Sequence, residues 1–161
     1  LDASWADDED TRRSTLAYIY FFEDCPVSWH TRLHAYVTSS TNHTEYCAAA
    51  KASKEARHQI YVFTELTAHI PELQPKLPLP LFSDSRGSIA MTQNPVQRSA
   101  SKHIEVADHY AREMVDRGFV TVTHVPTDRM LADILTKALT TAKFLFFRSF
   151  LVKPVQPQSR S

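Results

Sequence analysis

Four carboxylates are spaced so that a folded sheet could gather them at one edge: Asp2, Glu45, Asp84 and Asp133. Asp84 directly follows the apolar stretch Leu77-Pro-Leu-Pro-Leu-Phe-Ser83. Asp133 falls one turn into a helix expected after Phe119–His124, and Glu45 falls in the first turn of a long helix. Asp2 stands where a first strand would end. Sites in open α/β sheets collect at the carboxyl ends of strands. Clustered carboxylates repel and resist ionising together, and a divalent cation removes that penalty. Magnesium prefers oxygen ligands and keeps part of its water shell. Two such ions ~3.5–4 Å apart can activate a water and stabilise the leaving oxygen of a phosphodiester. That chemistry needs charge neutralisation and positioning, not a protein nucleophile. Spacing alone favours the ordinary alternative. Most of the 18 acidic residues must be solvated, and Asp2 reads as a terminal residue, Glu45 as an acid at the positive end of a helix, Asp84 as a turn former.

The elements that must position these groups follow from patterning. Residues 7–13 are a charged connector. Leu16–Phe22 is aromatic and β-branched and predicts a strand; Asp24-Cys-Pro26 predicts a turn, and Val27–His30 with Ala35–Ser39 predicts a third strand bent near Arg32. Ser39, Ser40, Thr41 and Asn42 are N-cap candidates for the long helix, with Glu45 three residues after Asn42. Tyr46, Ala49, Ser53, Ala56, Ile60 and Phe63 then repeat at spacings of three and four, which is one buried face. That helix should stop before Pro71. Leu79–Ser83 predicts a buried strand, and Arg86–Gln93 a short helix ending at Asn94-Pro95. Ser99–Lys102 predicts a polar loop. Ile104, Ala107, Ala111 and Met114 mark a helix closed by Gly118; Phe119–His124 predicts a strand. Helices are predicted from Pro126 to about Leu139 and from Thr140 to Val152, and 153–161 reads as a disordered tail. Early strands close enough for hairpins and later ones separated by helices give an α/β fold with a mixed sheet.

The 161 residues make one domain, 1–152. Lys plus Arg balances Asp plus Glu at 18 each, so nucleic acid or membrane would be held only by a local patch. Cys25 and Cys47 have no metal-ligand spacing and suit a reducing compartment. No apolar run approaches the ~20 residues that span a bilayer, so no membrane partner is expected, and no signal peptide opens the chain. The start at Leu1-Asp2, without Met, reads as part of something longer.

Six blocks, in order, carry a family resemblance. They are Asp2–Ala6 with Asp10–Thr15; Pro26–Trp29; Ser39–Thr41 with Thr44–Tyr46; Ser83–Ser85 with Ser88–Ala90 and Asn94-Pro95; Ser101–Glu105 with His109; and His124–Thr127 leading to Ala132–Lys137. Over about residues 1–151 the chain resembles the ribonuclease H domain of copia-type long-terminal-repeat retrotransposon Pol polyproteins. It departs from the family pattern at Ser4, Asp7, His43, Thr44 and Ser85. The resemblance implies a ribonuclease H-like fold, a five-stranded mixed sheet with helices on both faces and a largely truncated first strand, so that Asp2 has the least support of the four acids. It implies hydrolysis of the RNA strand of an RNA–DNA hybrid during reverse transcription, with two Mg2+ ions (or Mn2+) on Asp2, Glu45, Asp84 and Asp133. His124 matches a position where ribonucleases H often carry a mobile histidine, although an ordinary strand-end histidine is an equal reading. Ser85, Arg98, Lys102 and His103 are the candidate substrate contacts, with a solvated loop as their alternative. The implied neighbour is an upstream reverse transcriptase, and the implied location is a cytoplasmic retrotransposon particle with nuclear passage. The competing expectation is an inactive relic that at most binds nucleic acid. Lys51, Lys54 and Arg57 read as a wet helix face, and Phe144, Phe147 and Phe150 as core or a docking stripe.

Overall fold

The computed structural model describes residues 1–93 and 109–152. The expectations for Asn94-Pro95, Arg98, Lys102, His103, the helix start at Ile104 and the 153–161 tail lie outside them. The described elements run β1 Asp2–Ser4, β2 Thr15–Phe22, β3 Cys25–Leu33, α1 Thr41–Leu66, a 3-10 turn Pro71–Leu73, β4 Leu79–Ser83, α2 Arg86–Gln93, α3 Tyr110–Asp116, β5 Val120–His124, 3-10 turns Thr127–Arg129 and Leu131–Leu135, and α4 Thr141–Leu151. The fold is mixed α/β.

The strands form two hydrogen-bonded sheets: β1-β2-β3, antiparallel, and β4-β5, parallel. The expected continuous five-stranded sheet is therefore divided. β1 is only three residues long and pairs Asp2 with Ala17 and Ser4 with Thr15. Beyond it, Tyr18–Phe21 of β2 face Leu79–Phe82 of β4 across a cavity of about 440 Å³. The Leu1 nitrogen spans that seam, donating to the Phe82 carbonyl at 2.9 Å.

The β2–β3 hairpin corrects two expectations. Its turn lies on Glu23-Asp24, with Glu23 at φ 51, and β3 already starts at Cys25. Pro26 is tolerated because β3 is an edge strand and the register shifts beside it, between Tyr20 and Phe21. The third strand is one run to Leu33, and Ala35–Ser39 is not a strand. There His34 and Thr38 turn inward without a strand to pair with, and Ala35 and Val37 are exposed.

Ser40 is the N-cap of α1, its hydroxyl accepting from the His43 amide at 3.2 Å. Glu45 is therefore the fifth helical residue, beyond the first turn, and the capping-box role is not its own. The predicted stripe is inward: Tyr46, Ala49, Ser53 and Ala56 are buried, with Ile60 and Phe63 half-buried. Alanines at 48, 49, 50, 52 and 56 let α1 lie close to β1, β2, β4, α2 and α3. α3 ends in a paired cap, with Phe119 N–H on Met114 O (3.0 Å) and Gly118 N–H on Val115 O (2.9 Å). That geometry needs a left-handed residue, which Gly118 supplies at φ 70.

Both sheet faces are covered. Tyr20 donates to the Ala52 carbonyl of α1 at 2.6 Å, whereas Thr31, opposite Ala17 in the register, donates to the Leu135 carbonyl at 2.9 Å. Ala17 and Tyr20 are three apart on β2 and so point to opposite faces. The second cover is not the predicted helix. Pro126 to Leu139 forms two 3-10 turns broken at Met130, whose ψ of 91 is extended. α4 packs behind the second turn, with Phe147 as its one buried side chain.

Candidate metal centre

Asp2, Glu45 and Asp84 come from β1, α1 and the end of β4, and one carboxylate oxygen of each lies within 4.8 Å of the others. Asp2 is 0 % exposed and Glu45 3 %, while Asp84 is half-buried. The Ala3 amide donates to Glu45 Oε1 at 3.3 Å. Its Oε2 is buried with no hydrogen-bond partner among the described residues. A buried carboxylate oxygen left unpaired is costly, and burial, then Asp2 and Asp84, push the Glu45 carboxyl up to about 8. An oxygen-seeking divalent ion fits this trio, because it would take the orphan oxygen and offset the mutual repulsion. Asp84 Oδ2 accepts from the Thr127 hydroxyl at 2.8 Å.

Asp133, 1 % exposed, is placed differently. Its oxygens are taken by two ammonium groups: Lys137 Nζ at 3.0 Å from Oδ1 and Lys143 Nζ at 2.6 Å from Oδ2. Lys137 also reaches Asp2 Oδ1 at 3.1 Å, and the Thr136 hydroxyl donates to Asp2 Oδ2. Burial raises the Asp2 carboxyl, against the hydrogen bond from Thr136 and the charge of Lys137. Burial works against the Lys137 ammonium, but Asp2 and the hydrogen bonds to Asp133 and Asp2 outweigh it, and its pKa lies above the usual lysine value. Asp2 is thus held by two side chains, Thr136 and Lys137, in spite of its short strand.

A hydroxyl network supports the same corner. The Ala6 amide donates to Ser14 Oγ (3.0 Å), which meets Thr38 Oγ1 (3.1 Å), which meets Thr44 Oγ1 (2.5 Å). Thr44, one of the departures from the family pattern, is fully buried in this network and locks the start of α1 to the β1–β2 connection. Gly87 lets α2 approach α1: a Cβ there would meet the Asn42 carboxamide at 2.4 Å. Ser85 caps α2, accepting from the Ser88 amide at 3.2 Å and donating to Asn42 Oδ1 at 3.3 Å. His124 is exposed at the end of β5, in register with Ser83, the residue before Asp84.

Against this geometry, the comparisons are specific. The retrovirus-related Pol polyprotein from transposon RE1 of Arabidopsis thaliana is 34% identical over 148 residues, 92% of this chain. Those from transposon TNT 1-94 of Nicotiana tabacum and transposon RE2 of Arabidopsis thaliana are 34% and 35% identical over 89% and 91% of it. The chain is homologous to a stretch of retrotransposon Pol polyproteins. It spans about 10% of the length of these Pol relatives. No family model matches, and no solved structure matches.

Two features of this Pol-like chain escaped the sequence. The lysine pair at Asp133 had a signal: Asp133 and Lys137 are four apart, the spacing of a helical ion pair, but such pairs are usually solvated. The second is a groove of about 850 Å³ between α1 and the β2–β3 hairpin, lined by Arg13, His30, Arg32, His34, Lys51 and Lys54. None of its Arg or Lys side chains forms an ion pair among the described residues. Its acid, Glu55, is occupied by Ser28 (2.7 Å), Gln59 (2.6 Å) and Tyr18 (3.4 Å). Its four Arg and Lys side chains come from three stretches far apart in sequence, which is why no basic run announced it. No helix among the described residues is long and apolar enough to cross a membrane.

Proposed function

We propose that this chain is a ribonuclease H domain that hydrolyses the RNA strand of an RNA–DNA hybrid with Mg2+, or Mn2+ in its place. The observation that carries this reading is the convergence of the buried Asp2 and Glu45 with half-buried Asp84, together with a buried Glu45 oxygen that has no hydrogen-bond partner among the described residues. The six motif blocks and the Pol relatives support it. When bound, the ion supplies Lewis-acid activation of water and stabilises charge on the phosphodiester. The chain's own residues set the stage. Thr136 and Lys137 fix Asp2, Thr127 orients Asp84, and the Ala3 amide fixes Glu45. His124, at the end of β5 and in register with Ser83 of the adjacent β4, is assigned proton transfer to the leaving oxygen. Within a polyprotein the domain's neighbour is a reverse transcriptase, and its place is the cytoplasmic particle, with nuclear passage.

The direct test is a labelled RNA–DNA hybrid incubated with the chain and Mg2+. Cleavage of the RNA strand is expected, with Asp84→Asn slower by about a hundredfold or more, the scale of losing one group that stabilises transition-state charge. Equal rates for the two proteins, or none from a folded chain, would sink the reading and leave the inactive-relic alternative.

The basic groove is the natural place for hybrid backbone, since phosphates bind cations without sequence readout. Lys51→Glu/Lys54→Glu is expected to weaken hybrid binding roughly tenfold or more and to flatten its salt dependence, because fewer counterions are released. Fluorescence anisotropy across a salt series checks this. An unchanged salt slope would remove the groove from the substrate path.

A further inference from the structure

We infer that the Lys137 ammonium is a built-in second cation, so that the cluster takes one divalent ion, on Asp2, Glu45 and Asp84, rather than two. This rests on the metal-binding half of the proposed function and not on nuclease activity. A second ion on these four acids would have to draw on Asp133, the one acid outside the trio, with Asp2 its nearest carboxylate through Lys137. In this chain Lys137 Nζ bridges those two side chains, 3.1 Å from Asp2 and 3.0 Å from Asp133. The other Asp133 oxygen is closed by Lys143 at 2.6 Å. Asp133 is accordingly absent from the convergent trio.

The local backbone makes this arrangement. The Lys137 and Thr136 amides both donate to the Asp133 carbonyl, at 2.9 and 3.2 Å. That turn brings the Lys137 side chain back over Asp133 and presents Thr136 to Asp2. Lys143 comes from the first turn of α4. It is fixed by the Thr127 carbonyl at 3.3 Å and lies over the Phe147 ring, 5.2 Å from its centroid. Two carboxylates here meet two ammoniums, so the pair is already neutral. A dication entering between Asp2 and Asp133 would have to displace a point charge of its own sign from both partners. At Glu45 the situation is opposite: among the described residues no ammonium is paired with it, its neighbours in the trio are two more acids, and one of its oxygens has no hydrogen-bond partner. The Lys137 ammonium thereby acts as a positioning and charge-balancing group beside the ion.

Mn2+ titration of the full chain, followed by calorimetry and by the electron paramagnetic resonance signal of free Mn2+, counts the ions. One ion per native chain is expected, lost in Asp84→Asn. Lys137→Met and Lys137→Met/Lys143→Met are expected to admit a second ion, bound about tenfold or more tighter than any second event in the native chain, the scale of one ligand-environment change. A purely structural lysine would not raise the stoichiometry when removed. Should either Met variant unfold by circular dichroism, Lys137→Gln, which keeps an amide donor without charge, carries the comparison. Two ions on the native chain, or one ion on native and lysine variants alike, overturn the inference alone. No Mn2+ bound by a folded native chain overturns the metal reading beneath it.

Discussion

Glu45→Gln is expected to abolish tight divalent-ion binding and, in chelator, to make the chain more stable at pH 8 than the native protein. Without an ion the folded chain holds the Glu45 proton up to about 8, chiefly because the carboxyl is buried and then because Asp2 and Asp84 are near. The unfolded chain releases that proton near the ordinary glutamate value of 4.5. Between these values the unfolded state binds fewer protons than the folded one, so stability falls as pH rises. The contribution is whole below the unfolded value and gone above the folded one. Its size is on the order of a few kcal/mol. Glutamine cannot ionise, so the variant loses this part of the slope. Ion binding requires the Glu45 carboxylate, so at pH 7 it should release a proton, visible as a buffer-dependent heat. Urea titrations in chelator at several pH values measure the first effect. Parallel stability–pH curves for native and Glu45→Gln protein would refute the assignment.

Tyr46→Ala should cost about 3–5 kcal/mol, the range for emptying a large aromatic site in a core. Tyr46 is 0 % exposed at the centre of the inward face of α1. Its ring meets His109 edge-on, centroids 6.0 Å apart, and its hydroxyl lies 3.2 Å from His109 Nδ1. A domain of this size has about 5–15 kcal/mol in all, so the loss is a large share of the total. Tyr46→Phe keeps the ring and should lose only about 1 kcal/mol. Denaturant unfolding of the two variants separates packing from hydrogen bonding. Equal losses in both would mean that the ring packs far less than its burial implies.

Regular elements with local signals were legible in the sequence. Arg86–Gln93, Leu79–Ser83 and the termination at Gly118 need only capping, alternation and a left-handed residue, all of which are read from neighbours in the chain. The inward face of α1 is read the same way. The misses share one cause, dependence on tertiary partners. Residues 35–39 alternate like a strand, but no strand among the described residues pairs with them. Residues 126–139 carry helix-like spacing, but Pro126 and extended Met130 break it into turns shaped by the sheet below. Glu45 looked like an N-terminal acid because four consecutive cap candidates precede it; Ser40 caps, which moves Glu45 onto the second turn, where it reaches Ala3. Asp2 looked unsupported on three residues of strand, and its supports, Thr136 and Lys137, come from the other end of the chain. Of the four acids, the sequence placed Asp84 by its strand end, but the division of Asp133 from the other three follows from two lysines that only folding brings inward.

The seam between the two sheets has a consequence for how the molecule behaves as a machine. Asp2 and Glu45 ride with β1 and α1, whereas Asp84 ends β4, on the far side of the cavity that the Leu1–Phe82 hydrogen bond spans. An ion held by all three acids, as proposed, would therefore clasp two plates together and would be expected to stiffen the joint between them.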